Sequence, residues 1–396
     1  MNDLIAHTDL YSSINYSPTK LVLSEGKGSK VWDIDGNEYI DCISGFSVVN
    51  HGHCHPKIIE AFQQQSQKIT MISRALYSEN LGQWEEKICK LTNKDKVLPM
   101  NTGTEAIETA IKIARKWGTD VKEIPENETE IIAMNGNFHG RTLGALSLSS
   151  QDSYKQGFGP LLDNIHYIDF GDVEHLKSLI NDKTTAIILE PIQGEGGVNI
   201  PPDYFIETVR ALCDEHNILF IADEIQVGLG RTGKMLATEW EGVEADIYLL
   251  GKSLGGGLYP ISAVLANKEI MEVLTPGTHG STFGGNPLAC AVSMAALDIL
   301  VDEDLINRSA QLGQKLLNQL QLIDSDLITD VRGRGLFIGI ELNENAQPHC
   351  LEMINQGVLC KETQGNIIRI APPLVISEEE INKVVEVITN VLKKNK

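Results

Sequence analysis

The 396-residue chain is short of positive charge: 33 Lys and Arg stand against 54 Asp and Glu, a formal net charge of −21. A surface that acidic repels phosphate backbones and anionic lipid, so neither nucleic acid nor a membrane is an expected partner. A local basic pocket for a small anion is still allowed. Long apolar runs are also missing, and none approaches the roughly 20 residues that a membrane helix needs. The opening Met1–Asp9 has neither the basic head nor the apolar core of an export signal. The seven cysteines (Cys42, Cys54, Cys89, Cys213, Cys290, Cys350 and Cys360) are odd in number, scattered and without a Cys-x-x-Cys pair. That usage suits reduced thiols and a cytoplasmic location rather than a disulfide framework. Repeats and low-complexity tracts are lacking, and 42% hydrophobic with 22% charged residues is ordinary globular composition. The length leaves room for two domains.

What is present alternates. Lys20-Leu-Val-Leu and Lys30-Val-Trp-Asp-Ile read as a β-hairpin, with Asp35-Gly36 as a turn before Tyr39-Ile-Asp-Cys. Pro56 opens a helix. From about residue 96, short apolar strands begin at Lys96, Glu130, Thr185, Ile218 and Asp246, separated by helical stretches. This is the pattern of βαβ units on a mostly parallel, buried sheet, an α/β fold whose ligands gather at the carboxyl ends of the strands. After about residue 290 two long helical stretches lead to Arg332-Gly-Arg-Gly, Val358-Leu-Cys-Lys and Ile367-Ile-Arg-Ile, and Ser377-Glu-Glu-Glu380 is a capping box for a closing helix. The division expected is an N-terminal segment (1–45) joining a small α+β domain (291–396), with a large domain (46–290) between them.

Three local matches are weakened by context. Gly228-Leu-Gly-Arg-Thr-Gly233 fits a dinucleotide fingerprint, but Asp223-Glu224 intervenes after the strand and only a poor helix candidate follows. Gly251-Lys252-Ser253 lacks the phosphate-loop glycine, because position 246 is Asp246. His51-Gly-His53-Cys54-His55 is dense in metal-ligand types but sits next to a Pro-started helix, and a turn packed by polar side chains is the expectation, with no metal. The stronger signal is a pair of strand ends. Asp223 and Lys252 close successive apolar strands, and glycines 251, 255, 256 and 257 leave room around the lysine. An ordinary buried ion pair is one reading. The other is a lysine that condenses with an aldehyde cofactor and a carboxylate that keeps a pyridinium nitrogen charged, the chemistry of pyridoxal phosphate. Asn101-Thr-Gly103-Thr104 follows a strand and opens a helix, so it is either a plain cap or a phosphate cradle, which Gly280-Ser281-Thr282 could complete.

Asn101-Thr-Gly-Thr-Glu-Ala, Asn137-Phe-His-Gly-Arg141, Glu190-Pro-Ile-Gln-Gly-Glu195, Ala222-Asp-Glu-Ile-Gln226 and Leu250-Gly-Lys-Ser together resemble the class III aminotransferases, and the likeness runs from about Asn15 to the final helix. His279-Gly-Ser-Thr-Phe-Gly-Gly-Asn-Pro and Ile368-Arg-Ile-Ala-Pro-Pro-Leu-Val are most similar to the ornithine-using branch. The resemblance implies a fold-type I enzyme with a large mixed-sheet domain and a smaller α+β domain. It makes Lys252 the Schiff-base lysine and catalytic base, Asp223 the partner of the pyridine nitrogen and Gln226 a hydrogen-bond partner of the phenolic oxygen. Phe138 stacks on the ring, Gly103, Thr104 and Ser281 belong to the cofactor seat, and Thr282 reaches the phosphate of a neighbouring subunit in a homodimer. For the substrates, ornithine and 2-oxoglutarate, it implies Tyr16, Phe46, Arg141, Arg369 and Glu195, the last covering or releasing Arg369. N-acetylornithine or another ω-amino acid is the alternative donor. At Phe46 the chain departs from the branch, which commonly carries tyrosine there, and this bears on substrate preference.

Overall fold

A computed structural model describes residues 1–393. The N-terminal hairpin forms as expected, except that its first strand starts at Leu23 and not at Lys20, and a third strand extends it into a meander. The three strands are β1 (Leu23–Lys27), β2 (Lys30–Asp33) and β3 (Glu38–Asp41). Asp33 shapes the last turn, its Oδ1 accepting from the backbone N–H of both Asp35 and Asn37 at 2.9 Å. Pro56 opens the helix Pro56–Ser66, as read from the sequence.

Seven strands make the central sheet: β4 (Lys96–Met100), β5 (Glu130–Met134), β6 (Ile165–Ile168), β7 (Thr184–Leu189), β8 (Leu219–Asp223), β9 (Ile247–Leu250) and β10 (Ser262–Ala266), in the order β4-β10-β9-β8-β7-β5-β6. The run from β9 to β6 is parallel, and β10 is antiparallel to both β9 and β4. Strands β6 and β10 escaped the sequence reading. The first carries His166 and Tyr167 and is mostly half-buried, and the second, Ser262-Ala-Val-Leu-Ala266, is short and begins and ends on a small residue.

Successive residues of the buried strands alternate between two cores. Ile187, Leu189, Phe220, Ala222, Tyr248 and Leu250 face one side; Ala186, Ile188, Leu219, Ile221, Ile247 and Leu249 face the other. Both faces are covered, which is why these strands read as continuous apolar runs. The helix Gly103–Asp120 covers the second face with Ile107, Ala110, Ala114 and Trp117. It approaches so closely that a Cβ on Gly118 would stand 2.2 Å from Thr185 Cγ2, so only glycine fits there.

Beyond the helices Pro287–Asp302 and Leu305–Gln321 come β11 (Ile328–Arg334), β12 (Phe337–Leu342), β13 (Val358–Leu359), β14 (Lys361–Thr363) and β15 (Ile367–Ile370). β11, β12, β15 and β14 form one sheet, while β13 joins β3 in parallel, tying the C-terminal part of the chain to its beginning. The closing helix Glu378–Leu392 starts at Ser377 with a complete capping box to Glu380.

Candidate active site

Several strand ends converge at the carboxyl edge of the central sheet. β4 leads into Asn101–Thr104, β5 into the loop 135–141, β7 into Glu190, β8 ends on Asp223 and β9 leads into Lys252. They enclose a cavity of about 200 Å³, lined by Gly103, Thr104, Phe138, His139, Gly140, Glu190, Glu195, Asp223, Ile225, Gln226 and Lys252. Pairing β8 with β9 in parallel is what sets Asp223 and Lys252 on one edge.

Lys252 holds a left-handed backbone (φ 46°), an uncommon conformation for a residue with a side chain and a form of local strain that clusters at functional sites. Burial pulls its amine down to about 8, against the opposing pull of Glu195 and Asp223. Asp223 accepts from the Ile225 N–H at 3.1 Å and pairs with His139 Nδ1 at 2.7 Å, with both side chains buried. Burial alone would lower the His139 pKa, but the hydrogen bond and charge of Asp223 outweigh it and raise it.

Thr102 caps the helix Gly103–Asp120 through a capping box with Glu105, and the first intrahelical bond runs from Ala106 N to Thr102 O. The N–H groups of Gly103 and Thr104 therefore belong to the positive end of an 18-residue helix. Thr104 Oγ1 lies 3.0 Å from Thr142 Oγ1, and Gly140 leaves the space that Thr104 fills: a Cβ there would stand 2.4 Å from Oγ1.

At the other end Glu195 Oε1 accepts from Arg369 Nη1 at 2.6 Å and from Gln226 Nε2 at 3.3 Å. Burial raises the Glu195 carboxyl, but Arg369 and Lys252 together bring it below the ordinary range. The Arg369 guanidinium also lies 4.8 Å over the Phe46 ring. Among the described residues Gln226 Oε1 is buried without a partner, and a Cβ on Gly194 would stand 1.5 Å from it.

Of the residues read from the sequence, Lys252, Asp223, Gln226, Phe138, Gly103, Thr104 and Glu195 line one cavity, with Arg369 joined to them through Glu195 and Phe46 packed on Arg369. Ser281 reaches the cradle through Asn101 Nδ2, 2.9 Å from its Oγ. Arg141 is exposed and stacks over Tyr154 and Phe138 at 3.7 and 5.1 Å. Thr282 and Tyr16 are exposed and line no part of the cavity. His139 and Glu190 were given no role in the sequence reading. Their signal was the strand-end rule itself, since Glu190 directly follows β7 and His139 lies in the loop after β5.

Two histidines of the His51–His55 turn make polar side-chain contacts. His53 Nε2 lies 2.8 Å from Asp41, and His55 lies 3.4 Å from Glu303. The Gly228–Gly233 loop is likewise structural, holding the fully buried Arg231 against the carbonyls of Leu336 and Pro372.

An amine at a strand end, a carboxylate–imidazole pair beside it, an aromatic on the cavity wall, an orphaned amide oxygen and a helix N-terminus fit pyridoxal phosphate, and with the mixed sheet they define a fold-type I transferase of that cofactor. The chain belongs to the class III aminotransferases: the family model, aminotransferase class-III, matches residues 11–392. It is 76% identical over 394 residues to ornithine aminotransferase 1 of Staphylococcus saprophyticus, covering all of both chains. The solved ornithine aminotransferase of Toxoplasma gondii, described with partial occupancy of PLP at its active site, superposes with a TM-score of 0.97 at 42% identity, over 99% of this chain and 93% of that one. An acetylornithine aminotransferase from Elizabethkingia anophelis superposes at 0.90 with 44% identity, over 99% and 98%.

Proposed function

We propose that this chain transfers the δ-amino group of L-ornithine to 2-oxoglutarate, giving L-glutamate 5-semialdehyde and L-glutamate, with pyridoxal 5′-phosphate as cofactor. The observation that carries the substrate reading is the Glu195–Arg369 pair at one end of the cavity that Lys252 enters. An enzyme using both substrates must receive first an amine on a flexible chain and then a diacid. An arginine covered by a carboxylate serves the first, and the same arginine uncovered offers a planar fork to a carboxylate of the second.

Bound pyridoxal phosphate supplies an aldehyde for amines and a ring that accepts electrons. Gly103 and Thr104 would hold its phosphate, Phe138 would cover its ring, and Asp223, held by His139, would keep its nitrogen charged. Lys252 Nζ, depressed to about 8, holds or gives up a proton near neutral pH and so moves the proton at the substrate carbon that bears nitrogen. Arg141 and Tyr16 are assigned to the α-carboxylate and α-amino end of ornithine.

We assign 46–290 to a large cofactor domain and 1–45 with 291–396 to a smaller one, a division supported by the β3–β13 pairing. A homodimer in which Thr282 reaches the partner's phosphate is supported by exposed Leu76, Tyr77 and Phe283, apolar side chains that favour cover. No helix among the described residues is long and apolar enough to cross a membrane, and the seven free cysteines support a cytoplasmic location. Phe46, which lacks a hydroxyl, keeps N-acetylornithine as the second reading. A coupled assay comparing ornithine, N-acetylornithine and 4-aminobutyrate as donors decides between them. Ornithine should give the highest kcat/KM, and finding it the poorest of the three would overturn the substrate assignment.

A further inference from the structure

Glu190 is fully buried on the cavity wall, directly after β7 and beside Asp223 at the end of β8. Its two carboxylate oxygens point to different loops. Oε2 accepts from the Phe138 N–H at 3.0 Å and Oε1 from the Gly194 N–H at 3.3 Å. Phe138 is the aromatic on the cavity wall, and Gly194 immediately precedes Glu195, which covers Arg369. Gly194 also lies against Gln226 Oε1 too closely for any side chain. The two loops come from different strands, and one carboxylate spans them.

We propose that Glu190 is a positioning residue of the transamination reaction: bridging the Phe138 and Gly194 backbones, it fixes together the aromatic wall of the cofactor seat and the carboxylate that covers Arg369. The inference rests on the reaction assigned above. The ionised carboxylate offers a full acceptor to each N–H group, whereas protonation leaves one oxygen as an O–H donor and a weaker acceptor. Burial drives the Glu190 carboxyl up to about 7, with the neighbouring Asp223 charge adding to this and His139 opposing it. The charged groups facing it are His139, Asp223 and, across the cavity, Lys252. The bridge is therefore strongest above neutral pH and weakens as the carboxyl takes up a proton, so the KM for ornithine should fall as pH rises through 7.

The test compares wild-type holoenzyme with Glu190→Gln and Glu190→Asp. Glutamine keeps the size but can accept only one of the two N–H groups; aspartate keeps the charge but is too short to span both loops. Both should weaken the Glu195 cover of Arg369, raising the KM for ornithine relative to that for 2-oxoglutarate about fivefold or more. Both should also change the visible circular dichroism of the bound cofactor, a readout independent of the amino donor. The pH dependence near 7 should vanish in Glu190→Gln and persist in Glu190→Asp. An unchanged KM ratio with an unchanged dichroism band overturns the proposal, as does a lowered Tm with equal losses for both substrates, which marks a merely structural role. If wild-type enzyme prefers another donor, the function reading fails while the dichroism comparison still reports on Glu190.

Discussion

The guanidinium of Arg369 is held between a carboxylate and an aromatic face: Glu195 Oε1 is 2.6 Å from Nη1, and the Phe46 ring lies 4.8 Å from Cζ. Arg369 is buried, whereas the Glu195 side chain is 31% exposed, so the carboxylate is the partner free to move. Desolvation makes this pair costly to break by losing one member and inexpensive to exchange for an incoming carboxylate that replaces the lost contact.

Glu195→Gln should therefore uncover Arg369 without changing the cavity's volume. The expected result is a KM for 2-oxoglutarate lowered or unchanged and a kcat/KM for ornithine reduced about tenfold, equal to about 1.4 kcal/mol. Steady-state kinetics on both half-reactions measures it. Parallel losses for the two substrates would show that Glu195 supports the site generally and does not discriminate between them.

The Asp223–His139 bond makes a separate prediction. Asp223→Asn removes a buried charge on the wall of the cavity that Lys252 enters, and kcat should fall on the order of 10²-fold or more, the scale of losing one aligned electrostatic group. His139→Asn leaves the carboxylate but removes the imidazole that holds it at 2.7 Å. A smaller loss of about tenfold is expected, with binding of pyridoxal phosphate weakened in both variants. Equilibrium titration of the cofactor separates the two effects, and a His139→Asn enzyme with wild-type kcat and affinity would remove His139 from the machinery.

The residues that were legible in the sequence are those whose signal is local. Asp223 and Lys252 each end an apolar run, Pro56 opens its helix, and Ser377 precedes Glu380 by three positions. The βαβ alternation carried the sheet as far as its parallel part. The position of β10 between β4 and β9 was not readable, since strand order depends on packing between segments over 160 residues apart in the chain. The pairing of Glu195 with Arg369, 174 positions away, entered through family resemblance, and that of His139 with Asp223 did not enter at all. No local periodicity encodes such contacts; only the folded sheet brings the loops together.

Arg231 shows the same long-range dependence in a structural role. It is fully buried, and its donors reach Leu336 O at 2.8 Å, Pro372 O at 2.6 Å and Asn50 Oδ1, three distant segments of the chain. Burial lowers its pKa to about 9, which still leaves it charged at neutral pH. Arg231→Met fills a similar volume but strands three acceptors, and a loss of about 3 kcal/mol is expected in a urea titration. Arg231→Lys, a single-point donor, should recover only part of it. A methionine variant as stable as wild type would mean that those carbonyls find other partners.

Lys252 links the electrostatics of the site to pH. In the folded chain its free amine is depressed from 10.5 to about 8, chiefly by burial. The folded state thus releases this proton more readily than the unfolded chain, so its contribution to stability rises between about pH 8 and 10.5 and is least below 8. The neutral amine is also the form that condenses with an aldehyde. Capture of pyridoxal phosphate by cofactor-free protein, followed by absorbance in stopped flow, should accelerate with pH along a single titration centred near 8. Lys252→Met should show no capture at any pH. Because the charge of Glu195 raises the Lys252 pKa, Glu195→Gln should move the midpoint downward, provided that Arg369, which lowers it, stays in place. A midpoint left near 10.5 in the wild-type chain would mean that the amine is hydrated, and the cavity that Lys252 enters would not be the one that receives the cofactor.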